Sequence, residues 1–144
     1  MKLFTIGTSK KSAEDFFASL SKAHIEKILD IRLNNSSQLL GFSKNKDLKY
    51  FCEHCHSISY EHVPLLAPTD KILKQYKKDK DWLTYERVFV NILNSRPAIE
   101  IFEKACEGFN NVCLLCSESG AQKCHRRLVA EYLAKQLPLQ IEHL

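Results

Sequence analysis

The chain has 144 residues, of which 44% are hydrophobic and 26% charged, a balance that suits one globular domain with its own buried core and excludes a disordered or fibrous chain. Its net charge of +4 favours an anionic partner without singling out nucleic acid. No apolar run reaches membrane-spanning length, and MKLFTIG is too short for a secretion signal. A cytoplasmic location is therefore expected, with the six cysteines as reduced thiols and not as a disulfide framework.

Taken in order, Leu3-Phe4-Thr5-Ile6 predicts a buried strand, followed by a tight Gly7-Thr8-Ser9 loop. Ser12 predicts a helix N-cap, with Ala13, Phe16, Phe17, Leu20 and Ala23 forming one apolar face behind it. Ile28 to Ile31 predicts a second strand, and residues 33–43 an irregular polar segment. Lys44 to His56 has a helical stripe of Leu48, Phe51, Cys52 and Cys55. A third strand, 58–63, is stopped by Pro64. A lysine-rich helix ending at Asp79 and an amphipathic helix over 82–94 follow. Pro97 opens another helix, which Gly108 closes. Val112 to Cys116 predicts the fourth strand, Cys124 to Gln136 the last helix, and Leu139 to Leu144 a final strand.

Strands alternating with helices in this way predict an α/β fold. We expect a single three-layer domain over residues 1–144, with a mainly parallel sheet of about five strands flanked by helices. Ligands of such sheets bind beyond the carboxyl ends of the strands. Gly7-Thr8-Ser9, Asp30 with Arg32, and Cys116 through Glu118 all fall there.

Cys52/Cys55 and Cys113/Cys116 have the spacing of zinc knuckles, with His54 and His56 close by, but a knuckle needs a tight turn. Cys52 and Cys55 fall on a helical stripe. Cys113 and Cys116 lie three apart on a strand, so they face opposite ways. Cys52, Cys55, Cys106 and Cys113 therefore read as small buried hydrophobes. A thioredoxin-type pair would open a helix, whereas this one closes a strand. A phosphotyrosine-phosphatase cradle needs arginine six residues after its cysteine, where Gln122 or Ala130 stands.

Cys116 and Cys124 differ from the other four. Cys116 ends a strand at the expected crevice. Cys124 begins a helix, where amide groups and the helix dipole favour a thiolate, and His125, Arg126 and Arg127 add positive charge. The alternative for His125, Arg126 and Glu118 is a network that fastens the helix to the sheet.

The runs Thr5-Ile6-Gly7-Thr8-Ser9, Asp30-Ile31-Arg32, Gly41-Phe42-Ser43, His62-Val63-Pro64-Leu65, Leu114-Leu115-Cys116-Ser117-Glu118 and Cys124-His125-Arg126 resemble those of the DUF488 family, small bacterial and archaeal proteins of uncharacterised function. The resemblance implies a compact α/β domain whose shared polar positions are Gly7, Ser9, Asp30, Arg32, Cys116, Glu118, Cys124, His125 and Arg126. It implies no particular reaction or cofactor. The chain has Thr8 where many members have histidine, and Leu66-Ala67 where they commonly have Leu-Gly-Gly.

Three functions are consistent with these residues. The first is an enzyme for a small anionic substrate, with Cys116, Glu118, Cys124 and His125 in catalysis and Gly7, Thr8, Ser9, Asp30, Arg32 and Arg126 in binding. A transient disulfide between Cys116 and Cys124 belongs to the same reading. The second is nucleic-acid binding by Lys71, Lys74, Lys77, Lys78 and Lys80, with Tyr76 and Trp82 nearby, although such runs also serve as solvated helix faces. The third is a metal site formed by Cys116, Cys124 and His125, with Glu118 as a further ligand.

Overall fold

A computed structural model describes residues 1–36 and 41–144. Strand β1 spans Lys2–Gly7, helix α1 Ala13–Lys22, β2 Lys27–Asp30, α2 Asn45–Tyr50 and β3 Ser59–His62. Three helices follow: α3 over Asp70–Asp79, α4 over Trp82–Asn94 and α5 over Ala98–Cys106. The chain then forms β4, Asn111–Cys116, α6, His125–Ala134, and β5, Gln140–His143. Residues 37–40, within the segment expected to be irregular, lie outside the described residues.

The sheet has the order β3-β2-β4-β1-β5, and every described pairing is parallel. The alternation of side chains along each strand builds two cores. Phe4, Ile6, Ile28, Cys113 and Leu115 meet α1 and α2 on one face. Leu3, Leu29, Val112 and Leu114 meet α4, α5 and α6 on the other. Cys113 and its neighbours therefore point away from α6, and Thr5, Gly7 and Cys116 point towards it.

Local signals account for several helix boundaries. The Ser12 hydroxyl accepts from the Asp15 amide at 3.1 Å and caps α1. Gly108, at φ 84°, takes the left-handed conformation that lets the chain leave α5. Pro97 stands just before α5, not as its first residue. The segment expected as one helix over 44–56 divides: α2 ends at Tyr50, and Phe51–Cys55 widens into a π-helical turn. The wider turn rotates the side-chain stripe. Cys52 stays buried, but Cys55 is exposed, contrary to the expectation from helical spacing.

Topology places the crevice. β1 sends its connection across one face to β2, while its neighbour β4 sends its own across the other face to β5. The two strands part at their carboxyl ends, where doubly wound sheets bind ligands. Gly7 and Cys116 are register partners at that point.

Candidate functional site

The carboxyl ends of β1 and β4 remain paired past the sheet. The Thr8 amide donates to the Cys116 carbonyl at 3.1 Å, and the Ser9 amide to the Ser117 carbonyl at 2.9 Å. Gly7 is required beneath this closure, because a Cβ there would lie 1.6 Å from the Glu118 carbonyl oxygen and 2.7 Å from Arg126 Nη1. Thr8 is buried and Ser9 half-buried.

Arg126 occupies the space that the topology would leave for a ligand. It lies on the first turn of α6, with only 1% of its surface exposed. Its Nη1 donates to Cys116 Sγ at 3.0 Å and to the Glu118 carbonyl. Nη2 donates to the Ser119 carbonyl at 3.3 Å, and Nε to Thr5 Oγ1, also at 3.3 Å. A buried guanidinium needs an anion. Among the described residues no carboxylate pairs with it. The acidic groups that it does contact are the Cys116 thiol and, more distantly at 3.9 Å, the Cys124 thiol.

Cys124, the residue before α6, places its sulfur 2.6 Å from that of Cys116. Both thiols are buried, and they titrate in opposite directions. Burial works against a Cys116 thiolate, but the Cys124 hydrogen bond, the Arg126 charge and hydrogen bond, and the Glu118 amide outweigh it, so the Cys116 pKa is lowered. Cys124 is pushed up, because its proton is held by Cys116 and because it too is buried. The two sulfurs therefore differ, with ionisation favoured on Cys116 and disfavoured on Cys124.

Thr5 completes the support of Arg126. Its hydroxyl, fully buried in an otherwise apolar strand, lies 2.6 Å from Nδ1 of His143 on β5. Thr5 and His143 are register partners, so strand pairing sets this contact. An arginine Nε can only donate, so the Thr5 oxygen accepts from it, and the same hydroxyl hydrogen-bonds the His143 ring. The His143 pKa is lowered, first by burial and then by Arg126. Neither residue was expected at the site. The one available signal was a hydroxyl among apolar residues in Leu3 to Ile6.

The side chains of the other expected site residues are placed apart from the sulfurs. Glu118 contributes its main chain, and its side chain is exposed. His125 Nε2 hydrogen-bonds the Ile31 carbonyl at 2.8 Å, and burial lowers its pKa to about 4, so the ring is neutral. Asp30 and Arg32 form an internal bidentate pair, Oδ1 to Nε at 2.9 Å and Oδ2 to Nη2 at 2.8 Å. Arg32 also donates to the Ser43 carbonyl, and the Tyr60 hydroxyl donates to Asp30. Burial opposes the Arg32 charge, but Asp30 more than offsets it, and the Arg32 pKa rises. This second cluster joins the carboxyl end of β2 to β3 and to Ser43, just before α2.

The metal reading is corrected. Among the described residues no three His, Cys, Asp or Glu side chains are grouped to hold a metal ion, and the His125 ring is committed to the β2 end. The lysines of the basic run are exposed along and just after α3, with Lys74 paired to Asp70 at 2.8 Å. Tyr76 and Trp82 pack against the core on the α4–α6 side of the sheet. No helix is long and apolar enough to cross a membrane among the described residues.

Comparison with curated proteins and with solved structures gives no match. The family described as "Domain of unknown function DUF488" matches residues 12–133, which take in the Asp30–Arg32 pair, both site cysteines and Arg126. That span is nearly the whole chain, and the protein belongs to the DUF488 family.

Proposed function

We propose that the protein is a thiol-dependent enzyme in which Cys116 is the nucleophile, Arg126 holds it as a thiolate, and Cys124 is its proton donor and partner. The observation that carries this reading is the contact of a buried, carboxylate-free Arg126 with Cys116 Sγ at 3.0 Å. A guanidinium in that setting stabilises the ionised sulfur, and the thiolate is the reactive form of cysteine. Gly7 and Thr5 act as positioning residues for Arg126. Glu118 acts through its amide, which donates to the sulfur.

The anion on Arg126 is then the Cys116 sulfur itself. A small anionic substrate fits this site only by taking the sulfur's place on the guanidinium. Thr8 and Ser9 close the crevice around the reacting atom, and the Asp30–Arg32 pair and His125 brace the neighbouring strand end.

Thiolate ultraviolet absorbance, titrated in the native protein and in Cys116→Ser, tests the reading. The difference between the two curves is expected to show one thiol ionising below the ordinary cysteine range, near 8.5. A difference curve that titrates at or above that range would remove the proposal.

A further inference from the structure

Resting on that reading, we propose that the Cys116–Cys124 pair reacts with small hydroperoxides and closes to an internal disulfide. Three observations together point to this oxidant class. The two sulfurs lie 2.6 Å apart, so a disulfide, at about 2.05 Å, forms with little movement of the backbone. Arg126 Nη1 donates to one of the sulfurs at 3.0 Å, which favours that sulfur as the attacking thiolate. The pair is enclosed, with Cys116 0% and Cys124 2% exposed.

Enclosure sets the size of the reactant. The sheet end on one side is zipped by the Thr8 and Ser9 amides, and α6 closes another side. The roof is the turn at Ser117, Glu118, Ser119 and Gly120, all exposed and hung from Arg126 by the carbonyls of Glu118 and Ser119. A molecule little larger than water passes when this turn lifts slightly. A disulfide-bonded peptide must remove the whole turn, and with it the two carbonyl contacts that orient Arg126.

The chemistry balances. The Cys116 thiolate attacks one peroxide oxygen and the O–O bond breaks, giving a sulfenic acid on Cys116 and releasing hydroxide, or an alkoxide from an organic hydroperoxide. Cys124 then attacks the sulfenic sulfur. Its proton leaves with the hydroxyl as water, and the S–S bond forms. The peroxide has gained two electrons and the cysteine pair has lost them. A dithiol reductant reverses the oxidation by thiol–disulfide exchange.

Hydrogen peroxide and glutathione disulfide are compared as oxidants of the full chain, with products located by peptide mass mapping. Exposed Cys55 serves as an internal reference for both reagents. Hydrogen peroxide is expected to give the Cys116–Cys124 disulfide. The ratio of peroxide rate to glutathione-disulfide rate at the pair is expected to exceed that at Cys55 by roughly tenfold or more, the discrimination that about 1.4 kcal/mol of added opening cost produces. Cys124→Ser is expected to stop at sulfenic acid on Cys116, trapped by a dimedone-type reagent. An equal ratio at both sites, or no disulfide with peroxide, overturns the proposal. If the thiolate titration of Cys116 is normal for the nucleophile reading and peroxide still fails, the oxidant class is wrong and the nucleophile stands. If no thiolate titrates, the underlying reading has failed.

Discussion

Arg126→Met keeps much of the length and apolar body of the side chain and removes its charge and its donors. Cys116 Sγ loses a donor at 3.0 Å, Thr5 Oγ1 loses one at 3.3 Å, and the Glu118 and Ser119 carbonyls lose theirs. Those two residues are exposed, so water replaces much of what their carbonyls lose. The sulfur and the threonine hydroxyl are fully buried, with no such replacement. Removing one partner of a buried charged pair costs about 3–5 kcal/mol, and the loss of stability at neutral pH should fall in that range. The pH dependence is more diagnostic. A thiol whose folded pKa is depressed adds stability that is complete above its unfolded pKa, near 8.5, and is lost as pH falls through the folded value. In the variant burial, the Cys124 contact and the Glu118 amide remain while the lowering by Arg126 is gone, so Cys116 shifts upward and contributes less of this stability as pH rises through that same region. Urea unfolding of wild type and variant across neutral to mildly alkaline pH should therefore show a stability gap that widens with pH. Cys52 and Cys106 are present in both proteins and largely cancel in the difference, whereas Cys113 and Cys124 also lose the lowering by the Arg126 charge and shift in the same direction as Cys116. A gap constant with pH would refute a thiolate held by Arg126, whatever its size.

Gly7→Ala forces a Cβ to within 1.6 Å of a backbone carbonyl, so the Glu118 turn must retreat by about 1.8 Å or more to restore ordinary contact. Urea unfolding should show a loss of about 3 kcal/mol, the upper end for overpacking, and the Cys116 thiolate titration should move up as Arg126 is displaced. His143→Ala removes the hydrogen-bond partner of the Thr5 hydroxyl on β5 and frees that hydroxyl to turn. The Cys116 thiolate is expected to titrate higher than in wild type but lower than in Arg126→Met. His143→Gln, whose side-chain amide makes the same bond, should restore it, and failure of the glutamine to rescue would reduce His143 to an edge-strand residue.

The parts of the molecule that could be read in advance are those governed by neighbours in sequence. Short apolar runs marked β1, β2 and β4, the more polar β3 and β5 were bracketed by Ile58 and Val63 and by Leu139 and Leu144, Ser12 marked the start of α1, and Gly108 marked the exit from α5. The period of two on a strand separated Cys113 from Cys116 correctly, and Cys113 packs with Phe4 and Phe16 while Cys116 faces α6. The π-helical turn was not legible, because it changes the winding without an obvious change in residue type, and Cys55 was misplaced for that reason. The Thr5–His143 contact spans 138 residues and exists because β5 pairs with β1, an adjacency that no local pattern encodes. The Asp30–Arg32 pair did have a signal. Residues two apart in extended chain share a face, so a carboxylate and a guanidinium at that spacing can satisfy each other. The structure leaves Arg32 committed to Asp30 and Ser43, and Arg126 meets the sulfur alone.

The buried cysteines of this chain act as controls for one another. Cys52, Cys106 and Cys113 are as enclosed as Cys116, and burial pushes each of them up, Cys52 and Cys106 to about 12. Their surroundings are mainly apolar, which is what a cysteine used for packing requires. Cys116 has the same burial and the opposite shift. Burial therefore does not distinguish the site from the core. The difference lies in a guanidinium, an amide and a second thiol brought to one sulfur at the end of β4. Packing alone requires none of these groups, and maintaining them costs the chain a buried charge, a side-chain-free position at Gly7 and a hydroxyl inside β1. These several constraints converge on the ionisation of one sulfur, which is why the proposed reactivity is assigned to Cys116 and not to the other buried cysteines.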